Sequence, residues 1–191
     1  TNGYTAVVER ILDHPAIEVR LSTRFRREME SEFDHVFYTG PLDAYFDYRE
    51  GRLSYRTVTF ERIDDEGDYQ GNAVINYPDE SVPYTRIHEH KHFTPWEKHE
   101  KTVAFREYSK ETGPDDPPYY PKRLAADKIL LREYRELAEE RPHVTFLGRL
   151  ATYRYLDMEA VIAEALELAD KWVKAHRNGQ PYPRFPNEET D

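Results

Sequence analysis

The chain contains no cysteine. Disulfides, thiolate metal sites and thiol nucleophiles are therefore excluded from its chemistry. Its eight glycines stand apart, at positions 3, 40, 51, 67, 71, 113, 148 and 179, and none forms a Gly-x-Gly pair. A glycine-rich loop that cradles a dinucleotide phosphate is thus missing from these 191 residues. No apolar run approaches the ~20 residues of a membrane span, and no signal-peptide pattern is visible, so the expectation is a soluble, cytoplasmic protein with no membrane partner. Positive charge is scarce: 27 Lys and Arg against 37 Asp and Glu leave a formal net charge of −10. A field of that sign repels phosphate backbones and argues against nucleic acid as a partner. An anion would need positive charge gathered locally.

Tyrosine is abundant, with 15 copies. Each buries a ring while offering a hydrogen-bonding tip, which suits half-buried strands and equally the lining of a polar ligand site. Two stretches concentrate them, Pro118-Tyr119-Tyr120-Pro121 and Tyr153-Arg154-Tyr155-Leu156-Asp157-Met158. Together with Val82-Pro83-Tyr84-Thr85-Arg86, they set phenol hydroxyls beside a guanidinium or a carboxylate. That chemistry fits an anionic, hydroxyl-rich ligand such as a nucleotide sugar.

Periodicity predicts a mixed α/β chain. Val7, Val8, Ile11 and Leu12 share a helical face, and Ile17, Val19 and Leu21 alternate as a short strand. His35 to Gly40 and His143 to Gly148 read as short buried strands ending in glycine, the first of them suited to parallel pairing. Pro41 begins a short helical turn. Between these two strands the period changes to two, and four strands separated by Asp/Gly/Pro loops read as an antiparallel sheet. Asp127 to Glu140 is an amphipathic helix. Met158 to His176 is another, with Asp157 placed as its N-cap and Val161, Ile162, Ala165, Leu168, Ala169 and Trp172 facing inward. The expected division is 1–52 and 121–177 as two parts of one unit, 53–120 as an inserted sheet, and 178–191 as a disordered tail.

Three residue groups carry candidate chemistry. His88, His90 and His92 would share one face of a strand, but Arg86 falls on that face and would repel a dication, so no metal is expected. A solvated histidine face and a ligand contact are the other readings. Arg86 offers a fork for phosphate oxygens, and a hairpin would bring Asn76 beside it. Asp157 either caps its helix or marks an anion site at the helix start, where free N–H groups point outward. No Ser/His/Asp or lysine nucleophile stands out.

Taken in order, Gly3-Tyr4-Thr5, Tyr38-Thr39-Gly40-Pro41, Tyr45-Phe46-Asp47-Tyr48-Arg49, Gly71-Asn72-Ala73-Val74-Ile75-Asn76, Val82-Pro83-Tyr84-Thr85-Arg86, Glu89-His90-Lys91-His92-Phe93, Tyr119-Tyr120-Pro121 and Gly148-Arg149-Leu150 resemble the C-terminal half of the bacterial UDP-galactopyranose mutases. The resemblance runs from about Gly3 to about Trp172. It implies part of a Rossmann-like FAD-binding unit carrying an inserted antiparallel sheet. It also implies an isomerase that interconverts UDP-galactopyranose and UDP-galactofuranose through a sugar adduct on N5 of reduced FAD.

Carried over by position, Arg86 is the catalytic, diphosphate-binding arginine. Asn76, Tyr120, Tyr155 and Asp157 are substrate contacts. Thr39, Gly40, Arg49, Gly148, Arg149, Asp157, Met158, Glu159, Ala160 and Val161 lie on the cofactor side, with Glu107 a weaker candidate. Leu147, Lys122-Arg123-Leu124 and Leu156 depart from the family pattern. The resemblance further implies a missing N-terminal half that holds most of the FAD affinity, a homodimer when full length, and an inactive chain in isolation. Two other readings stay open: a nucleotide-sugar-binding or interaction module without flavin, and a fragment stable only beside its missing half.

Overall fold

The computed structural model describes residues 3–187 and divides the chain into two compact units, 1–34 and 35–191. The first unit holds helix α1 (Gly3–Leu12) and a 3-10 turn at Arg27–Glu32. The apolar face expected on α1 is present but exposed: Val7, Val8 and Ile11 each keep more than half their surface in solvent. The strand expected at Ile17 to Leu21 does not form. Among the described residues of that unit no strand exists to pair with it, and an unpaired strand leaves its backbone groups to water.

The second unit contains two sheets. β1 (Val36–Tyr38) and β7 (Val144–Phe146) form a parallel pair, aligned Val36 to Val144 and Tyr38 to Phe146. Five strands form the antiparallel sheet in the order β3-β4-β5-β2-β6. They are β2 (Tyr55–Glu66), β3 (Val74–Asn76), β4 (Arg86–Glu89), β5 (Lys101–Glu111) and the two-residue β6 (Tyr120–Pro121). The sheet is inserted in sequence between β1 and β7, as the change of period predicts. β2 and β5 pair along eleven rungs, from Arg56 opposite Glu111 to Glu66 opposite Lys101.

The helices are α2 (Leu42–Tyr45), α3 (Ala125–Glu139), α4 (Gly148–Ala151) and α5 (Met158–Asn178). The core packs Leu42, Tyr45 and Phe46 against Tyr134 of α3, Phe146 of β7 and Phe185. Buried polar groups stitch the insertion to this core. Asp43 accepts the Leu53 N–H at 3.0 Å, and Asp127 accepts those of Ser54 and Leu124 at 3.1 and 2.8 Å. Tyr134 and Tyr153 donate their hydroxyls to the carbonyls of Gly51 and Ser54, both at 2.6 Å. These four side chains satisfy the backbone where the chain enters and leaves the sheet, so the sheet is held at its base.

The tail expected to be disordered is packed from Gly179 to Asn187. The Phe146 N–H donates to the Arg184 carbonyl at 2.8 Å, and Phe185 stacks on Phe146. Gly179 adopts φ +62° and closes α5, so the chain turns back onto β7. Aromatic burial by Tyr182 and Phe185 outweighs the proline-rich composition. Residues 188–191 lie outside the described residues.

Four of the six residues of α5 expected to face inward are covered at least in part. Leu168 and Ala175 are buried and Val161, Ala165 and Trp172 half-buried, but Ile162 and Ala169 are exposed. Among the described residues no helix is long and apolar enough to cross a membrane.

Candidate functional site

Residues opposite one another in an antiparallel ladder project from the same face. Asn76 stands opposite Arg86, Arg86 opposite Glu107, and Glu107 opposite Phe60. Further along that face, Arg56 stands opposite both Glu111 and Tyr120. Asn76, Arg86 and Tyr120 therefore share one face of the sheet. From the rung of Arg86 to that of Tyr120 is four residues along β2, roughly 13 Å, and three strand spacings across, roughly 14 Å.

Glu107 organises the Arg86 end. Its side chain is nearly inaccessible, and Arg86 Nε lies 3.3 Å from Oε1 in an ion pair whose angle leaves the Nε–H without a hydrogen bond. Thr85 donates its hydroxyl to the same oxygen at 3.1 Å, and His88 Nε2 meets Oε2 at 3.2 Å. A buried carboxylate thus aligns a half-exposed guanidinium on the open face. Glu107 was a weak candidate in the sequence and His88 one of three equivalent histidines. Only the register shows that Glu107 adjoins both Arg86 and His88.

The three histidines do not share a face. β4 ends at Glu89, and His90 and His92 belong to a 3-10 turn at His90–Phe93. His88 stays with Arg86, whereas His92 turns to Asp68 and Glu89. Asp68, Glu89 and His92 place ligand-type atoms within 4.8 Å of one another. Glu89 is already saturated: it accepts the N–H groups of Tyr69, Gln70 and Gly71 and the Thr102 hydroxyl at 2.6–3.0 Å. Burial raises its pKa, but these donors outweigh burial and hold it at about 2. Lys91 ion-pairs with Asp68, so the cluster carries its own cation. Its evident work is to fix the loop at 67–73 against the sheet.

The Tyr120 end meets the second sheet. Tyr120 and Tyr155 stack with ring centroids 5.8 Å apart and planes at 17°. The Arg149 guanidinium lies 4.5 Å from both centroids. Gly148, just before it, is buried at φ +81°, and a Cβ there would touch the Thr39 side chain at 3.9 Å. Thr39 after β1 and Gly148-Arg149 after β7 are thus neighbours at the C-terminal ends of the parallel strands. A Cβ on Gly40 would sit 2.5 Å from the Tyr38 hydroxyl, so only glycine fits there without moving that ring.

Asp157 occupies the N-cap position of α5 with extended backbone, yet its side chain makes no capping bond. The capping role expected from the sequence is not taken, and the carboxylate is exposed beside the free amides of Met158, Glu159 and Ala160. Val161 is the first residue of α5 whose N–H closes back, onto the Asp157 carbonyl at 3.0 Å. Arg49 pairs with the adjacent Glu50 at 2.8 Å on the surface. Arg56 was not singled out in the sequence. On the shared face it binds Ser109 and Glu111 at 3.0 and 2.9 Å, and only its pairing with Tyr120 draws attention to it.

The described residues thus hold a guanidinium backed by a buried carboxylate, two stacked phenols and a helix start without a side-chain cap, groups whose chemistry suits an anionic, hydroxylated ligand. The UDP-galactopyranose mutase family model matches residues 1–155, and the chain belongs to that family. It is 50% identical over 183 residues to a probable UDP-galactopyranose mutase of Klebsiella pneumoniae, covering 96% of this chain and 48% of that protein. It is 43% identical to a dTDP-fucopyranose mutase of Escherichia coli, covering 92% and 48%. The fold also resembles a crystal structure of reduced UDP-galactopyranose mutase, with a TM-score of 0.60 at 12% identity, over 80% of this chain and 46% of that one. The chain spans about half the length of the curated relatives it matches.

Proposed function

We propose that this chain is the C-terminal portion of a UDP-galactopyranose mutase, interconverting UDP-galactopyranose and UDP-galactofuranose. The observation that carries the reading is the shared sheet face: Arg86 and Asn76 at one end, Tyr120 at the other, and Tyr155 stacked on Tyr120. Long side chains at both ends narrow the gap, and a diphosphate bridging them would meet a charged fork and two hydroxyl donors. Each charge-assisted hydrogen bond would contribute roughly 1.5–3 kcal/mol. Arg86 is the catalytic residue in this reading, because it holds the UDP that must leave and return. Asp157 lies where the sugar or the cofactor edge would meet the start of α5.

The residues present fit a flavin. Arg149 Nε and Nη2 are buried without partners, Gly148 offers bare backbone beside Thr39, and the amides of 158–160 are unbonded at a positive helix end. Thr39, Gly40, Gly148, Arg149 and the start of α5 from Asp157 to Val161 would hold its electron-rich edge. FAD, in its reduced form, would supply the nucleophile for the anomeric carbon. Arg49, already paired with Glu50, is the least supported of these contacts.

The parallel pair β1/β7 then forms part of a Rossmann-like FAD-binding unit. In this reading its remaining strands and its dinucleotide loop would come from outside these 191 residues. The working protein is a cytoplasmic homodimer in this reading, and the isolated chain is inactive.

The test uses the full-length protein containing this chain. Purified protein should show flavin absorbance and convert UDP-galactofuranose only after reduction, and Arg86→Ala should weaken UDP binding at least tenfold. UDP binding by a colourless protein with no turnover would support the module without flavin instead. An Arg86→Ala affinity within about twofold of wild type, roughly 0.4 kcal/mol, would remove Arg86 from the site. Offering dTDP-fucopyranose alongside separates the two activities named for the relatives.

A further inference from the structure

We propose that Arg149 is a positioning residue for Tyr120 and Tyr155, locking both rings so that their hydroxyls address the diphosphate together. The inference rests on the reading of those tyrosines as diphosphate ligands. It departs from a role for Arg149 confined to the cofactor side.

Neither tyrosine is well held by its own element. Tyr120 lies in a two-residue strand, bonded to β2 on one side only. Tyr155 is 59% exposed and sits between α4 and α5, outside any helix or strand. An exposed ring on such a segment is free to change rotamer, and its hydroxyl then sweeps across the surface. Arg149 removes that freedom from both at once. One planar guanidinium lies 4.5 Å from each centroid, and the rings it covers are nearly parallel.

Arg149 itself is anchored from behind. Gly148 is buried, and α4 continues from it into Thr152, whose hydroxyl donates to the Gly148 carbonyl at 2.6 Å. The Arg149 carbonyl accepts the Arg154 N–H at 3.1 Å, and Nη1 reaches the Leu156 carbonyl at 3.5 Å. Tyr153, buried at φ +51° and bonded to Ser54, fixes the base of the Tyr155 segment. The guanidinium therefore ties β6, on the antiparallel sheet, to the segment leading into α5. Lysine would keep the charge but lose the flat contact with two rings.

A double-mutant cycle in the full-length protein decides between positioning and direct contact. UDP is titrated calorimetrically into wild type, Arg149→Lys, Tyr120→Phe/Tyr155→Phe, and the triple variant. Positioning predicts that Arg149→Lys weakens UDP at least tenfold with the tyrosines present and less than threefold once both hydroxyls are gone. An equal loss in both backgrounds makes Arg149 a direct ligand contact and overturns the proposal, as does no loss in wild type.

A second measurement needs no UDP. In protein labelled with 3-fluorotyrosine, the fluorine resonances of Tyr120 and Tyr155 are identified by their loss in the single Phe variants. They should broaden or shift in Arg149→Lys and in Arg149→Gln, and unchanged lines would refute the clamp. If wild type fails to bind UDP, the functional reading fails, while the fluorine spectra still decide whether Arg149 holds the rings.

Discussion

The two sheets of the second unit differ in how far this chain completes them. The antiparallel sheet is largely self-sufficient: β2 and β5 pair along eleven rungs, and part of one face is covered by the chain's own groups. There Glu89 gathers four donors, and Arg106 reaches Tyr69 at 2.9 Å and ion-pairs with Glu61. The parallel pair has three rungs. Its register turns the Phe37 N–H and C=O to the outer edge of β1, where no strand pairs among the described residues. Beside it α5 shows solvent an apolar stripe of Met158, Ile162, Leu166 and Val173. Parallel sheets are normally covered on both faces, so a two-stranded one with exposed apolar neighbours leaves surface that further structure could cover. The lesson is that an antiparallel sheet inserted as one stretch of sequence finds its partners within that stretch, whereas the parallel pair joins strands from either side of it.

The sharpest test of the self-sufficient region is Glu89. Glu89→Ala strips the acceptor from three backbone amides and a buried threonine hydroxyl and opens a cavity. It should cost about 3–5 kcal/mol in urea unfolding. Because its folded pKa is lowered to about 2, the carboxylate's contribution is complete above the ordinary value near 4.5 and fades as pH falls through about 2. A loss under 1 kcal/mol would show that the 67–73 loop is not held by Glu89. Glu107→Gln comes next, at about 1–2 kcal/mol, because the amide keeps the shape but loses the charge facing Arg86 and His88.

On the parallel side the corresponding test is a pH slope. Thr145 donates its one hydroxyl proton to the Pro183 carbonyl at 2.6 Å, so it must accept from His35 Nε2 at 2.8 Å. The other ring nitrogen, Nδ1, is buried without a partner, and protonating it there is unfavourable. Burial first, then the charges of Arg184 and His143, lower the His35 pKa to about 4. Between pH 6.5 and 4 the unfolded chain therefore takes up a proton that the folded ring refuses. Stability is complete above 6.5 and falls through that window with a slope approaching about 1.4 kcal/mol per pH unit. His35→Asn should flatten the slope. An unchanged slope would assign it to other groups.

How much of this was legible in the sequence follows the same divide. The alternation from Leu53 to about Phe93 and from Thr102 to Tyr108 marked the inserted sheet because a period of two shows within each strand, whichever strand it pairs with. It misplaced the end of β4, since nothing in Glu89-His90-Lys91-His92 announces a 3-10 turn until Glu89 is seen anchoring the loop at 67–73. The parallel strands were visible as apolar runs ending in glycine. The packed stretch at 179–187 was not, because its order comes from Phe185 and Tyr182 landing on distant aromatics. For the site, the order of motifs pointed to Arg86, Tyr120 and Tyr155. The Arg149 contact with two rings and the Glu107 contacts to Arg86 and His88 depend on register and rotamer, which no spacing rule encodes.

The smallest expected effect isolates what covers α5. Leu168 is 1% exposed and Leu166 is 67% exposed, two residues apart on one helix. In this chain Leu168→Ala should cost about 2–5 kcal/mol, and Leu166→Ser should stay within about 0.5 kcal/mol. The comparison is then repeated in the full-length protein. If the additional half buries the stripe, Leu166→Ser becomes a core substitution there and should cost about 1–3 kcal/mol more than in the short chain. Equal values in the two proteins would show that the stripe stays in water, and the parallel region would then be as complete as the antiparallel one.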